Sequence, residues 1–81
     1  VTRRRVVFDE PVSLSLGKYL DDRPGMRAVL DAIDALADDP RPVGSVPWGP
    51  VLSRLHVGRY RVLYEIGEAT IWVRRVDRVP R

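Results

Sequence analysis

The stretch Leu-Ser-Arg-Leu-His-Val-Gly-Arg-Tyr-Arg-Val-Leu-Tyr-Glu-Ile (52–66) decides the fold. Together with Val51 it alternates Val51, Ser53, Leu55 and Val57 against Leu52, Arg54 and His56. Gly58 marks a tight turn, after which Tyr60, Val62, Tyr64 and Ile66 alternate with Arg59, Arg61, Leu63 and Glu65. Alternation on either side of a glycine reads as two strands of a hairpin. Side chains two residues apart share a face, so Arg54 and His56 project together. Ordinary pairing across the turn brings Arg61 to that same open face. The opposite face, carrying Tyr60, Val62, Tyr64 and Ile66, is apolar and needs a cover.

Downstream, Gly67-Glu68 turns the chain and Thr70 to Val76 continues the meander, with Arg74 or Arg75 adding to the open face and Arg78 just beyond. Upstream, residues 40–50 hold Pro40, Pro42, Pro47 and Pro50 with Gly44 and Gly49, and read as a loop. Before it, Asp22-Arg23-Pro24 offers a capping carboxylate and a proline for a first helical turn. Met26, Val29, Leu30, Ile33, Leu36 and Ala37 then recur at helical spacing, with Arg27, Asp31, Asp34 and Asp38 on the other side. Asp39-Pro40 ends this amphipathic helix. Pro11 to Leu20 gives a shorter, irregular helix weakened by Gly17, and residues 3–8 a short strand ended by Asp9-Glu10-Pro11. The order β-α-α-β-β-β predicts an α+β fold: an antiparallel sheet with two helices on one face, in a single domain over 1–81.

Composition narrows the function. The 81 residues, 44% apolar and 31% charged, fit a soluble globular chain whose thin core can hardly enclose a dinucleotide. No cysteine is present, which removes disulfides, thiolate metal sites and a thiol nucleophile. No apolar run approaches membrane-spanning length and no signal-peptide core precedes the first strand, so the expected location is the cytoplasm, away from membranes. Residues 1–50 carry seven Lys/Arg against eight Asp/Glu, whereas residues 51–81 carry seven Arg against three acids. The cationic excess is therefore all arginine and all in the C-terminal part. Arginine suits phosphate because its planar fork donates two parallel hydrogen bonds and keeps its charge. Nucleic acid is the obvious partner; a solvated strand face or a surface for an acidic protein are the alternatives.

One histidine among arginines fits phosphodiester chemistry on RNA. A base takes the proton of a 2′-hydroxyl, cations hold the phosphorane, and an acid protonates the leaving 5′-oxygen. His56 could carry out either proton transfer. Against this stands a plain solvated strand histidine and, for Arg61, an ion pair with Glu65 or another acid. One histidine and scattered aspartates form no metal site, and no cofactor is implied. Tyr60, Tyr64 and Trp72 fit core packing better than base stacking, whereas Trp48 either packs over the sheet edge or offers a stacking platform.

The turn Asp-Asp-Pro-Arg-Pro (38–42), followed by the 52–66 stretch, resembles the RelE/ParE superfamily of toxin–antitoxin toxins. Their pattern is a D-P-R-P-like turn, a proline/glycine loop, R-L-R-V-G-x-Y-R-V-x-Y-x-I and an arginine-bearing last strand. The likeness spans nearly the whole chain, and 54–66 is its specific part. It implies a RelE-like fold and a ribosome-dependent, metal-independent mRNA endonuclease neutralised by a bound antitoxin in a hetero-oligomer. Carried over, the family's active face falls on Arg54 and His56, on Arg61, and on Arg78, with Arg74, Arg75 and Arg81 close enough to shift the last alignment. The implied catalytic set is Arg61, His56 and Arg78, and the implied RNA-binding set is Arg54, Arg59, Arg74, Arg75 and Arg81.

Two departures stand out. The family's usual ending H-R-x-x-V-Y reads Asp77-Arg78-Val79-Pro80-Arg81, without the tyrosine, and the first helix looks short. The ParE branch, which poisons DNA gyrase without cleavage, shares the fold but lacks the basic set. The Arg54/His56/Arg61 cluster favours the RelE side, with a gyrase inhibitor or a degenerate toxin that binds only its antitoxin as the alternatives.

Overall fold

The computed structural model describes residues 3–80. Strand β1 (Arg5–Phe8) leads into helices α1 (Glu10–Lys18) and α2 (Arg23–Ala35), and four strands follow: β2 (Ser45–Trp48), β3 (Leu52–Val57), β4 (Tyr60–Ile66) and β5 (Thr70–Arg78). The sheet runs β1-β5-β4-β3-β2. The α+β reading, with both helices against one face of the sheet, describes the molecule. Two features differ from the expectation. The β1–β5 edge is parallel, pairing Val6 with Ile71 and Phe8 with Val73, so the sheet is mixed. The proline-rich 40–50 segment also contains a strand, β2, antiparallel to β3 at the other edge. Proline is tolerated there because an edge strand has one side without ladder partners, and Pro47 sits opposite Ser53.

The hairpin pairs Leu52 with Glu65 through to Val57 with Tyr60, leaving Gly58 and Arg59 as a two-residue loop. Gly58 takes φ 60°, the positive value that the first central position of a type II′ turn requires. Alternation then sorts the side chains. Leu55, Tyr60, Val62, Tyr64, Ile71, Val73 and Val76 are buried from the sheet, and Val12, Met26, Val29, Ile33 and Leu36 meet them from the helices. Leu30, expected in that stripe, lies at its rim and is exposed. It lines a shallow groove with Val6, Phe8, Ile33 and Asp34, where the sheet ends at β1. Trp72, expected in the core, projects instead to the open face, since its neighbours Ile71 and Val73 take the buried side.

One hydrogen-bonded cluster ties helix to sheet. Asp22 caps α2 by accepting from the Gly25 amide (3.0 Å), and its second oxygen accepts from the Tyr60 hydroxyl (2.8 Å). Tyr19 meets the Tyr60 ring edge-on at 5.6 Å. A Cβ at Gly25 would overlap the Asp22 carboxylate, so this glycine makes room for the cap. At the other end of α2, the Tyr64 hydroxyl donates to the Pro40 carbonyl (2.7 Å) and holds the descending chain.

The Tyr60 hydrogen bond, then the Gly25 amide, hold the Asp22 carboxyl below its ordinary value of 3.8. A lowered native pKa stabilises the fold fully above that value and less as pH falls through the native one. Thermal unfolding followed below about pH 4 should therefore show a smaller acid-induced loss in Tyr60→Phe than in the wild type. In a core this thin, Ile71→Ala, at a fully buried site on β5, should cost about 2–5 kcal/mol in denaturant titration.

Candidate functional site

The helix-free face of the sheet carries the candidate site. His56 and Arg61 are direct cross-strand partners, and Arg54 lies opposite Leu63. On the far side of β4, Arg61 pairs with Asp77 and Leu63 with Arg75. His56, Arg61 and Asp77 therefore form one row across β3, β4 and β5, and Arg54, Leu63 and Arg75 form the next. The grouping of Arg54, His56 and Arg61 expected from alternation is what the register produces.

A β-bulge determines which arginines of β5 join them. Between the pairs Tyr64–Val73 and Leu63–Arg75, residue Arg74 is the extra one. The inserted residue shifts the alternation by one, so Val76 is buried and Arg75 and Asp77 face out. It also turns Arg78 to the helix side, opposite Tyr60. There Arg78 pairs with Asp21 (3.0 Å) and lies 4.9 Å over the Tyr19 ring. Asp21 raises the Arg78 pKa further, and this guanidinium is committed to the fold. Arg78, expected beside Arg61, is thus on the opposite face, because the bulge reverses the pattern before the strand ends. Of Arg74 and Arg75, either of which the alternation allows on the open face, Arg75 joins the row of Arg54 and Leu63.

Arg74 itself is neutralised. It pairs with Asp9 (3.0 Å) and Glu65 (3.3 Å) and covers Trp72 at 5.2 Å. Glu65, the acid considered for Arg61, is engaged here. Arg59 sits exposed in the hairpin turn at the edge of the face. Arg81 lies outside the described residues.

Trp48, open to two readings from sequence, is half-exposed on β2, and the Arg54 guanidinium stacks 4.1 Å from its ring centre. Register placed it there: Trp48 pairs with Leu52, one side-chain repeat from Arg54. Arg54 Nε is buried without a hydrogen-bond partner. An orphaned donor costs roughly 1–3 kcal/mol. Trp48, Arg54, Arg61, Leu63, Arg75 and Asp77 together line a shallow cavity of about 210 Å³. A larger hollow of about 410 Å³, under the β2–β3 turn, is lined mainly by Pro47, Gly49, Pro50, Val51 and Leu52 and brings no such cluster. Among the described residues no group of three His, Asp or Glu is placed to hold a metal ion, and no helix is long and apolar enough to cross a membrane. The face can hold a phosphate between arginines, offer an aromatic surface, and supply proton-transfer groups.

No protein-family model and no curated protein matches the chain. Solved structures do. A chain of the archaeal RelE–RelB complex from Pyrococcus horikoshii OT3 superposes with TM-score 0.79 at 23% identity, covering 98% of each chain. A chain of the toxin–antitoxin complex RelBE2 from Mycobacterium tuberculosis gives TM-score 0.79 at 24% identity, covering 96% of this chain and 99% of that one. At these identities the likeness establishes the fold: the chain is built on the RelE architecture over nearly its whole length.

Single-stranded RNA binding, followed by fluorescence anisotropy across a salt series, should separate the two faces. Each phosphate contact removed should lower the log–log salt slope by about 0.7. Arg54→Ala and Arg61→Ala are expected to do so. Arg78→Ala is expected to leave the slope unchanged and to lower thermal stability instead.

Proposed function

We propose that the protein is the toxin of a type II toxin–antitoxin pair, acting in the cytoplasm as a ribosome-dependent mRNA endonuclease. The observation that carries this reading is the row that sets His56 beside Arg61, with Arg54 stacked on Trp48 next to them. It supplies a group able to move a proton, a cation at the phosphate and a second cation to position the backbone. The RelE architecture supports it: both matched structures are described as complexes, one of RelE with RelB and one of a toxin with its antitoxin. An antitoxin partner fits the same surface electrostatically, since acidic side chains would meet an arginine-lined face.

In this reading the 2′-hydroxyl attacks the adjacent phosphate without a metal. Arg61 stabilises the charge that gathers on the non-bridging oxygens, where an oriented donor contributes most. Arg54, Arg59 and Arg75 hold the neighbouring backbone, and His56 transfers a proton. Arg78 acts through the fold, because it lies on the helix side.

The test is mRNA cleavage by the purified protein with and without programmed ribosomes. Cleavage should require the ribosome and fall at least 100-fold in Arg61→Ala, the scale lost with one transition-state donor. Absence of cleavage under both conditions would remove the nuclease reading and leave gyrase inhibition or antitoxin binding alone.

A further inference from the structure

We propose that Asp77 is the second proton-transfer residue of this site: the general base that takes the 2′-hydroxyl proton, with His56 as the acid. The proposal rests on the nuclease reading above and adds a residue to it.

The register carries the assignment. Arg61 on the central strand has His56 as its partner on one side and Asp77 on the other. Neighbouring strands lie about 4.8 Å apart, so the Cα atoms of His56 and Asp77 are separated by roughly 10 Å with Arg61 between them. A phosphate held by Arg61 therefore has one ionisable group on each flank. In-line displacement needs this arrangement, because the attacking and leaving oxygens lie on opposite sides of phosphorus. The bulge at Arg74 creates the row, since regular alternation along β5 would send Asp77 to the helix side.

The carboxylate is also held in place. Arg75 Nε lies 2.6 Å from Asp77 Oδ2. The charged groups that face Asp77 are Arg54 and His56 from β3, Arg61 from β4 and Arg75 from β5. Arg75 thus fixes the carboxylate on one flank of the position Arg61 addresses, and a base oriented by a third group is the usual construction of such sites. His56, on the other flank of Arg61, supplies the complementary acid as its imidazolium.

The step balances. The 2′-hydroxyl proton passes to Asp77 as the 2′-oxygen bonds to phosphorus. The bond from phosphorus to the 5′-oxygen breaks, and that oxygen takes the proton of the His56 imidazolium. The products are a 2′,3′-cyclic phosphate and a 5′-hydroxyl. Proton exchange with water restores both residues.

Single-turnover cleavage on programmed ribosomes tests the assignment, using an ordinary mRNA and one with sulfur in place of the bridging 5′-oxygen. A thiolate leaves without protonation, so the modified mRNA bypasses the acid and still needs the base. Asp77→Asn should reduce cleavage at least 100-fold on both substrates, with RNA binding retained. Asp77→Glu should recover part of the rate. His56→Ala should be slow on the ordinary mRNA and rescued on the sulfur substrate. Arg75→Ala, which removes the ion pair and keeps the carboxylate, should lose less than Asp77→Asn. An Asp77→Asn rate within a few-fold of wild type would overturn the proposal and leave the nuclease reading standing. Rescue of Asp77→Asn by sulfur would overturn it as well, by making Asp77 the acid. No cleavage by the wild type would overturn both.

Discussion

Two helices of nine and thirteen residues can cover one face of a five-stranded sheet and no more. The rest of the molecule depends on that limit. The strands β3, β4 and β5 give Leu55, Tyr60, Val62, Tyr64, Ile71, Val73 and Val76 to the covered side, where they are buried. Their neighbours face water whether or not they have a function. Arg54, Arg61, Arg75, His56, Asp77 and Trp48 therefore sit on a strand-supported surface whose positions are set by register.

The bulge at Arg74 is the second determinant. One extra residue changes which half of β5 faces the solvent, exchanging Arg78 for Arg75 and Asp77 on the open face. Arg74 is then occupied with Asp9, Glu65 and Trp72, and so fastens the end of β1 to the central strands. Arg78 joins the Tyr19–Tyr60–Asp22 cluster through Asp21 on the other side. Two cations of the basic C-terminal segment are thus structural, and net charge alone overstates the cations free for a polyanion.

The sequence made the central hairpin and the second helix legible because both rest on local signals: period-two alternation about Gly58, and an apolar stripe behind the Asp22 cap. From these, the shared face of Arg54, His56 and Arg61 follows directly. Three features escaped for physical reasons. The β2 strand was hidden by prolines that an edge strand tolerates. Parallel pairing of β1 with β5 is a contact between chain ends that no local pattern encodes. The bulge has no glycine to mark it, and without it neither the inward turn of Arg78 nor the outward turn of Asp77 can be read. Alternating Val73 and Val76, three apart in a strand, was the available signal, since an odd spacing between two core residues requires an extra residue between them.

The most direct test of the open face as the reacting surface is a structure of the protein on an mRNA-programmed ribosome, with the 2′-hydroxyl at the scissile position blocked by methylation. The scissile phosphate is predicted to lie within hydrogen-bond reach of the Arg61 guanidinium, between His56 and Asp77, with Trp48 and Arg54 along the same strand of RNA. An mRNA passing the helix side or the β1 edge, with the Arg61 row facing away, would contradict the account.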